Sequence, residues 1–179
     1  MKYLFQVDYA PIEEEDYLTE DALYPSDYIS SNFVGSIADS VEAMDEEDEK
    51  TCLDNLKDAL EIRGGIEVDT ENRTITITDK DRFYKVKYDA LMEYIKDASE
   101  LSLDQYSLSK RVLFTDNDKE IRDFTFVDIR NEIERLTFGD KWGIYLCSDD
   151  DGYDTVDDFI RYLDNGTTLY IGQVFRYHN

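Results

Sequence analysis

The chain is poor in the residues on which most enzymes build their chemistry. It has a single histidine, His178, one position from the C-terminus, where chains usually fray. A Ser/His/Asp or Cys/His triad would have to be assembled on that tail, and a metal site would have at most one imidazole. Its two cysteines, Cys52 and Cys147, lie far apart without the CxxC spacing of zinc or redox sites, so two buried structural thiols are expected. Neither a GxxxxGK[ST] phosphate loop nor a GxGxxG fingerprint occurs, and Gly64-Gly65 reads as a helix stop. Apolar runs are short. MKYLFQVDYAP turns polar at once, so neither a leader nor a membrane span is expected, and a cytoplasmic location is. Cations are scarce too: 19 Lys and Arg stand against 43 Asp and Glu, a net charge of -24. Direct binding to nucleic acid would have to overcome that repulsion.

What is present argues for a folded protein. Hydrophobic residues make up 41% of the 179 positions and there are 14 tyrosines, whereas disordered acidic chains are poor in aromatics. Burying that apolar fraction pushes the carboxylates outward. They are unevenly spread. The first fifty residues hold 15 carboxylates against 2 lysines, a net of -13, in two clusters: Glu13, Glu14, Glu15, Asp16, Glu20 and Asp21, then Asp45, Glu46, Glu47, Asp48 and Glu49. A third group, Asp149, Asp150, Asp151 and Asp154, lies near the C-terminus. From Thr51 to Arg111 the balance is only -3, with 10 basic and 13 acidic residues.

Hydrophobic periodicity sets the expected elements. Tyr3, Phe5, Val7 and Tyr9 alternate as in a half-buried strand ended by Pro11. Ile29, Phe33, Ile37, Val41 and Met44 recur at three and four, predicting a helix from Ser26 that runs into the second acidic cluster. Cys52, Leu53, Leu56 and Leu60 predict another helix. A hairpin follows, Ile66 and Val68 against Ile75 and Ile77 around a turn at Thr70 to Arg73. Tyr84, Tyr88, Leu91, Met92 and Ile95 predict one face of a helix. Beyond it the pattern predicts a short helix within Ser102–Lys110, a strand at Val112 to Phe114, a polar turn at Asp116 to Glu120, and a helix carrying Phe126, Ile129, Ile133 and Leu136. WGIYLC (142–147) reads as a buried strand, SDDDGYD as loop, Val156 to Leu163 as a helix capped by Asp154 or Thr155 and closed by Asn165-Gly166, and TTLYIGQVFRY as a final strand. The fold class expected is α+β, a mainly antiparallel sheet with several packed helices in one domain spanning 1–179.

With 43 carboxylates, some pair falls at glycosidase-like separation by chance, so no catalytic pair is assigned. Asp149 to Asp154, and Asp116 with Asp118, lack the ligand spacing of an EF-hand and read as solvated turns. No catalytic residue, cofactor or metal is expected. Charge, size and the missing catalytic motifs are the residues' message, and in these the chain resembles the small acidic DNA-mimic inhibitors that phages and mobile elements use against restriction enzymes and CRISPR effectors. That resemblance implies a non-enzymatic anti-CRISPR or anti-restriction inhibitor acting in a host cytoplasm. Physically, DNA carries one negative charge per about 1.7 Å of axis, so -24 corresponds to about twelve base pairs, roughly 40 Å of duplex. A folded chain of this length has a diameter near 40 Å as well, from a radius of gyration of about 16 Å. Carboxylates on such a surface would occupy a channel of Lys and Arg built for phosphates, and tyrosines would stand in for base contacts. The expected partner is thus a basic nucleic-acid-binding complex (CRISPR effector, restriction enzyme or nuclease), met through all three acidic groups. Two other readings stay open: an immunity protein against a basic nuclease toxin, and an acidic protein-interaction domain whose charge serves solubility.

Overall fold

In the computed structural model, residues 2–25, 32–99, 112–116, 120–124, 131, 133, 143–148 and 152–178 are described, with backbone alone for 97, 98, 112–116 and 120–124. Contacts divide the chain into two units, residues 1–84 with 140–179, and residues 85–139.

Strand alternation organises the first unit. β1 (Tyr3–Asp8) turns Phe5 and Val7 to one face of a sheet and Leu4 and Gln6 to the other. After it come the short β2 (Ile37–Ala38), β3 (Ser40–Ala43), the hairpin β4 (Ile66–Asp69) and β5 (Thr74–Ile77), then β8 (Ile144–Ser148), β9 (Gly152–Thr155) and β10 (Thr168–His178). The sheet runs β4-β5-β10-β1-β8-β9, with β3 also paired to β10. Every described pairing in it is antiparallel except β1 with β8, where Tyr3 lies opposite Ile144. The α+β class with a mainly antiparallel sheet is therefore the observed one. β10 changes partner along its length: residues 168–170 pair with β5 and residues 175–178 with β3. Against β1, Phe5 faces Val174 but Val7 faces Ile171, so Gly172 and Gln173 both stand opposite Gln6. This bulge reverses the alternation of β10, placing Ile171 and Val174 on the same side.

Helices close that side. α1 (Glu46–Glu61) buries Cys52, Leu53, Leu56 and Leu60, as its spacing predicts. α3 (Val156–Arg161) buries Val156, Phe159 and Ile160. Thr155 caps it, accepting from Asp158 N, while Lys80 Nζ donates to the carbonyls of Arg161 and Leu163 at its end. Gly65 stops the α1 segment: at φ +81°, a Cβ there would stand 2.0 Å from the Asp79 carbonyl, whose own amide donates to Gly65 O. Arg63 ties the helices together, lying over the Phe83 ring and pairing with buried Asp157 at 2.7 Å. The two cysteines are buried, Cys52 in α1 and Cys147 in β8. No helix among the described residues is long and apolar enough to cross a membrane.

Four expectations are corrected. The helix predicted from Ser26 to Met44 is absent from 32–44: Phe33–Ser36 closes a single turn broken at Val34 and Gly35, and β2 and β3 follow. Residues 26–31 lie outside the described residues. Val41 and Met44 are buried there by strand geometry, because β3 gains backbone partners from β10 that a helix would forgo. Second, the acidic run does not end a helix; it begins one, for reasons given below. Third, the tail is not frayed. His178 lies in β10 opposite Ser40, and its carbonyl accepts from Asp39 N at 2.6 Å. Part of the SDDDGYD loop is likewise strand, since Gly152 to Asp154 belong to β9.

α2 (Lys80–Ser99) starts in the first unit, with Asp79 Oδ1 accepting from Arg82 N, and its residues from Lys85 belong to the second. From Lys85 onward no described side chain of α2 is buried: Tyr88 is 59%, Met92 45% and Ile95 43% exposed. The second unit also holds a hairpin of β6 (Val112–Asp116) and β7 (Glu120–Phe124), which contains the predicted strand. The helix predicted within 102–110 lies outside the described residues, as does the 126–136 helix apart from Asn131 and Ile133, both helical.

Candidate partner-binding surface

The acidic N-terminal segment is laid on the side of the sheet opposite the helices and held there by one buried amide. Gln6 is 6% exposed. Its Nε2 donates to Asp16 O at 3.0 Å, and its Oε1 accepts from Leu18 N at 2.9 Å and Gln173 N at 3.1 Å. Both polar atoms of the amide thus have partners, as burial requires. A Cβ on Gly172 would stand 2.5 Å from Gln6 Oε1 and 3.0 Å from Ile12, so the bulge needs glycine to leave the amide room. Two short 3-10 turns, Glu14–Asp16 and Glu20–Leu23, carry the carboxylates. Leu23 anchors them in an aromatic core, where the Phe33 ring meets Tyr145, Tyr153 and Tyr177 edge-on at 5.2 to 5.3 Å.

The second cluster starts where β3 ends. Met44 N donates to Val174 O at 2.9 Å, and Gln173 Nε2 donates to Met44 O at 3.3 Å. Asp45 then caps α1, its Oδ1 accepting from Asp48 N at 2.9 Å, with Glu46, Glu47, Asp48 and Glu49 in the first turn. Carboxylates belong there because the unpaired amides and the dipole of a helix N-terminus favour negative charge. The second cluster is therefore fastened directly to Gln173 and Val174 of β10, and the first to the same strand through Gln6 of β1, which accepts from Gln173 N. Glu20 adds a direct link, its Oε1 accepting from Ala43 N at 2.8 Å.

Glu13, Glu14, Glu15, Asp16, Glu20, Asp21, Asp45, Glu46, Glu47 and Asp48 are exposed. Glu49 differs. Its two oxygens take the Arg73 guanidinium at 2.7 and 2.8 Å, with the Glu49 side chain 13% exposed and that of Arg73 25%. These hydrogen bonds hold the guanidinium above its ordinary pKa against the opposing effect of burial. Arg176 lies 3.7 Å from Asp48, a looser contact. Asp154 is placed elsewhere, in β9 at the sheet edge, with β1 and β8 between it and β10. Burial and then the neighbouring Asp158 push its carboxyl up. Asp149, Asp150 and Asp151 lie outside the described residues.

Among the described residues the surface offers mainly carboxylates. Burial pushes the Cys52 thiol up, an inert state for a nucleophile. No group of three His, Cys, Asp or Glu among the described residues is placed to hold a metal ion. Gln6, Gly172, Gln173 and Arg73 were not singled out by sequence reasoning, although a lone glutamine in the apolar run YLFQV and a Gly-Gln in the last strand are the marks of a buried amide and a bulge. No known protein family, curated protein or solved structure matches the chain.

Proposed function

We propose that this protein is a non-enzymatic acidic inhibitor, a DNA mimic that occupies the phosphate-holding channel of a host nucleic-acid-processing defence complex such as a CRISPR effector or restriction enzyme. The observation that carries the reading is the fastening of two acidic clusters, far apart in sequence, to Gln173 and Val174 of a central strand, one directly and one through the Gln6 amide. Charges held on a rigid sheet need not be ordered at the moment of binding, which is where flexible acidic tails lose affinity. Steering of the negative face by a basic channel speeds encounter and makes it salt-dependent.

The test is capture by the tagged protein from bacterial lysate at two salt concentrations, with and without competing DNA, alongside a Glu46→Lys, Glu47→Lys variant. Asp45 is retained because it caps α1. A nuclease or CRISPR subunit that is released by salt and by DNA, and not held by the variant, is the expected result. Capture untouched by the two reversals removes this cluster from the interface. A second reading, an immunity protein for a basic nuclease toxin, draws on the same observation, because gathering the clusters yields the compact patch such a protein needs. The identity of the captured nuclease separates the two.

A further inference from the structure

Between the stretch of β10 paired with β5 and the stretch paired with β3, residues 171–174 have no strand of the described residues beside them on that side. Arg73, in the β4-β5 turn, fills the gap. Its carbonyl accepts from Ile171 N at 2.7 Å, its Nε donates to Ile171 O at 3.0 Å, and its Nη2 donates to Gly172 O. The far side of the same guanidinium is the fork that holds both oxygens of Glu49, in the first turn of α1. The Tyr17 ring, next to Asp16 of the first cluster, lies 5.7 Å from its central carbon. One cation thus touches the sheet and both acidic segments.

The backbone at Arg73 is also unusual. Among the described residues it is the one non-glycine with positive φ, at +53°. A turn position of this kind favours glycine, and an arginine there is explained by what its side chain holds. We infer that Arg73 is a positioning residue that locks the segments 12–24 and 44–49 into one acidic surface. It does so by replacing missing strand donors and by placing a half-buried positive charge where the two negative segments would otherwise repel.

Glycine gives the decisive variant, because Arg73→Gly relaxes the turn while removing the lock. Hydrogen exchange of the isolated full chain is read at Leu18, Asp48 and Glu49, and at Ile75 and Leu146 as references. In Arg73→Gly, protection at the first three falls by about tenfold or more, the scale of losing charge-assisted hydrogen bonds, with the references unchanged. Arg73→Lys, which keeps the charge but not the fork, gives a smaller fall. Glu49→Gln, which weakens the fork from the α1 side, loosens Asp48 and residue 49 more than Leu18. Unchanged protection at Leu18, Asp48 and Glu49 in Arg73→Gly overturns the inference, and so does an equal fall at the reference amides, which would make Arg73 a general stability residue. No partner enters this measurement. A lock that opens as expected, with capture from lysate unaltered, would count against the proposed function alone.

Discussion

The two sides of the sheet are closed by different means. On one side, α1 and α3 lay continuous apolar stripes on Phe5, Ile75, Ile77 and Val174, so hydrophobic spacing is enough to seat them. On the other, chain without long helices is held by an aromatic cluster around Phe33 and by the Gln6 amide, while Arg73 joins Tyr17 of that chain to Glu49 of α1. Charge is displayed on both sides, the first cluster on the two short 3-10 turns and the second in the first turn of α1. An amphipathic helix needs much of its circumference for the core, whereas a short segment pinned by single polar anchors leaves nearly every carboxylate facing water.

Truncating each side tests whether both are true cores. Phe33→Ala is expected to cost about 3–5 kcal/mol in urea unfolding, matching or exceeding Leu56→Ala at about 2–5 kcal/mol. A cost below about 1 kcal/mol for Phe33→Ala would make the loop side a loosely applied cover rather than a second core. Next in size is Gln6→Leu, which keeps the volume but leaves Leu18 N and Gln173 N without their acceptor. A loss of about 2 kcal/mol is expected, from unsatisfied buried amides at roughly 1–3 kcal/mol each with partial recovery by water. If Gln6→Leu is as stable as the wild type, the polar anchor is dispensable and the contrast between the two sides fails.

The smallest effect belongs to the helix side and is read against pH. Tyr84 donates its hydroxyl to Asp157 O, and burial, then the Asp157 charge, pushes its pKa up to about 12 from 10.0. The folded state holds the phenolic proton more tightly than the unfolded chain. Its contribution is therefore complete below pH 10 and declines as pH rises toward 12. Tyr84→Phe should cost about 1 kcal/mol at neutral pH and flatten the unfolding midpoint against pH within that window. An unchanged alkaline slope would assign the effect to another group.

Most elements with a strong period were legible. The helix of Leu53, Leu56 and Leu60, the Ile66 to Ile77 hairpin, the Ile144 to Cys147 part of the WGIYLC strand (Trp142 lies outside the described residues) and the TTLYIGQVFRY strand are found where spacing predicts them. The Phe33 to Met44 part of the predicted helix misled because three-and-four spacing and strand burial coincide over so few residues, and only β10 could decide between them. The α2 face of Tyr88, Met92 and Ile95 has the spacing of a buried stripe yet is exposed. Spacing tells which residues share a face of a helix, not whether anything covers it.

The sequence alone determined the sign and size of the charge, the scarcity of catalytic side chains and the α+β class, because these depend on composition and on local period. It also placed both acidic clusters at chain positions. Only the tertiary structure decided that they meet. Residues 6, 73 and 172–174 are far apart in the chain, and the hydrogen bonds that join Asp16, Leu18, Met44 and Glu49 through them exist only once β10 lies between β1 and its two other neighbours. Carboxylates repel one another whatever their order in the chain. Gathering them takes a buried amide, a bulge with room for it and one arginine, and no local pattern encodes that combination.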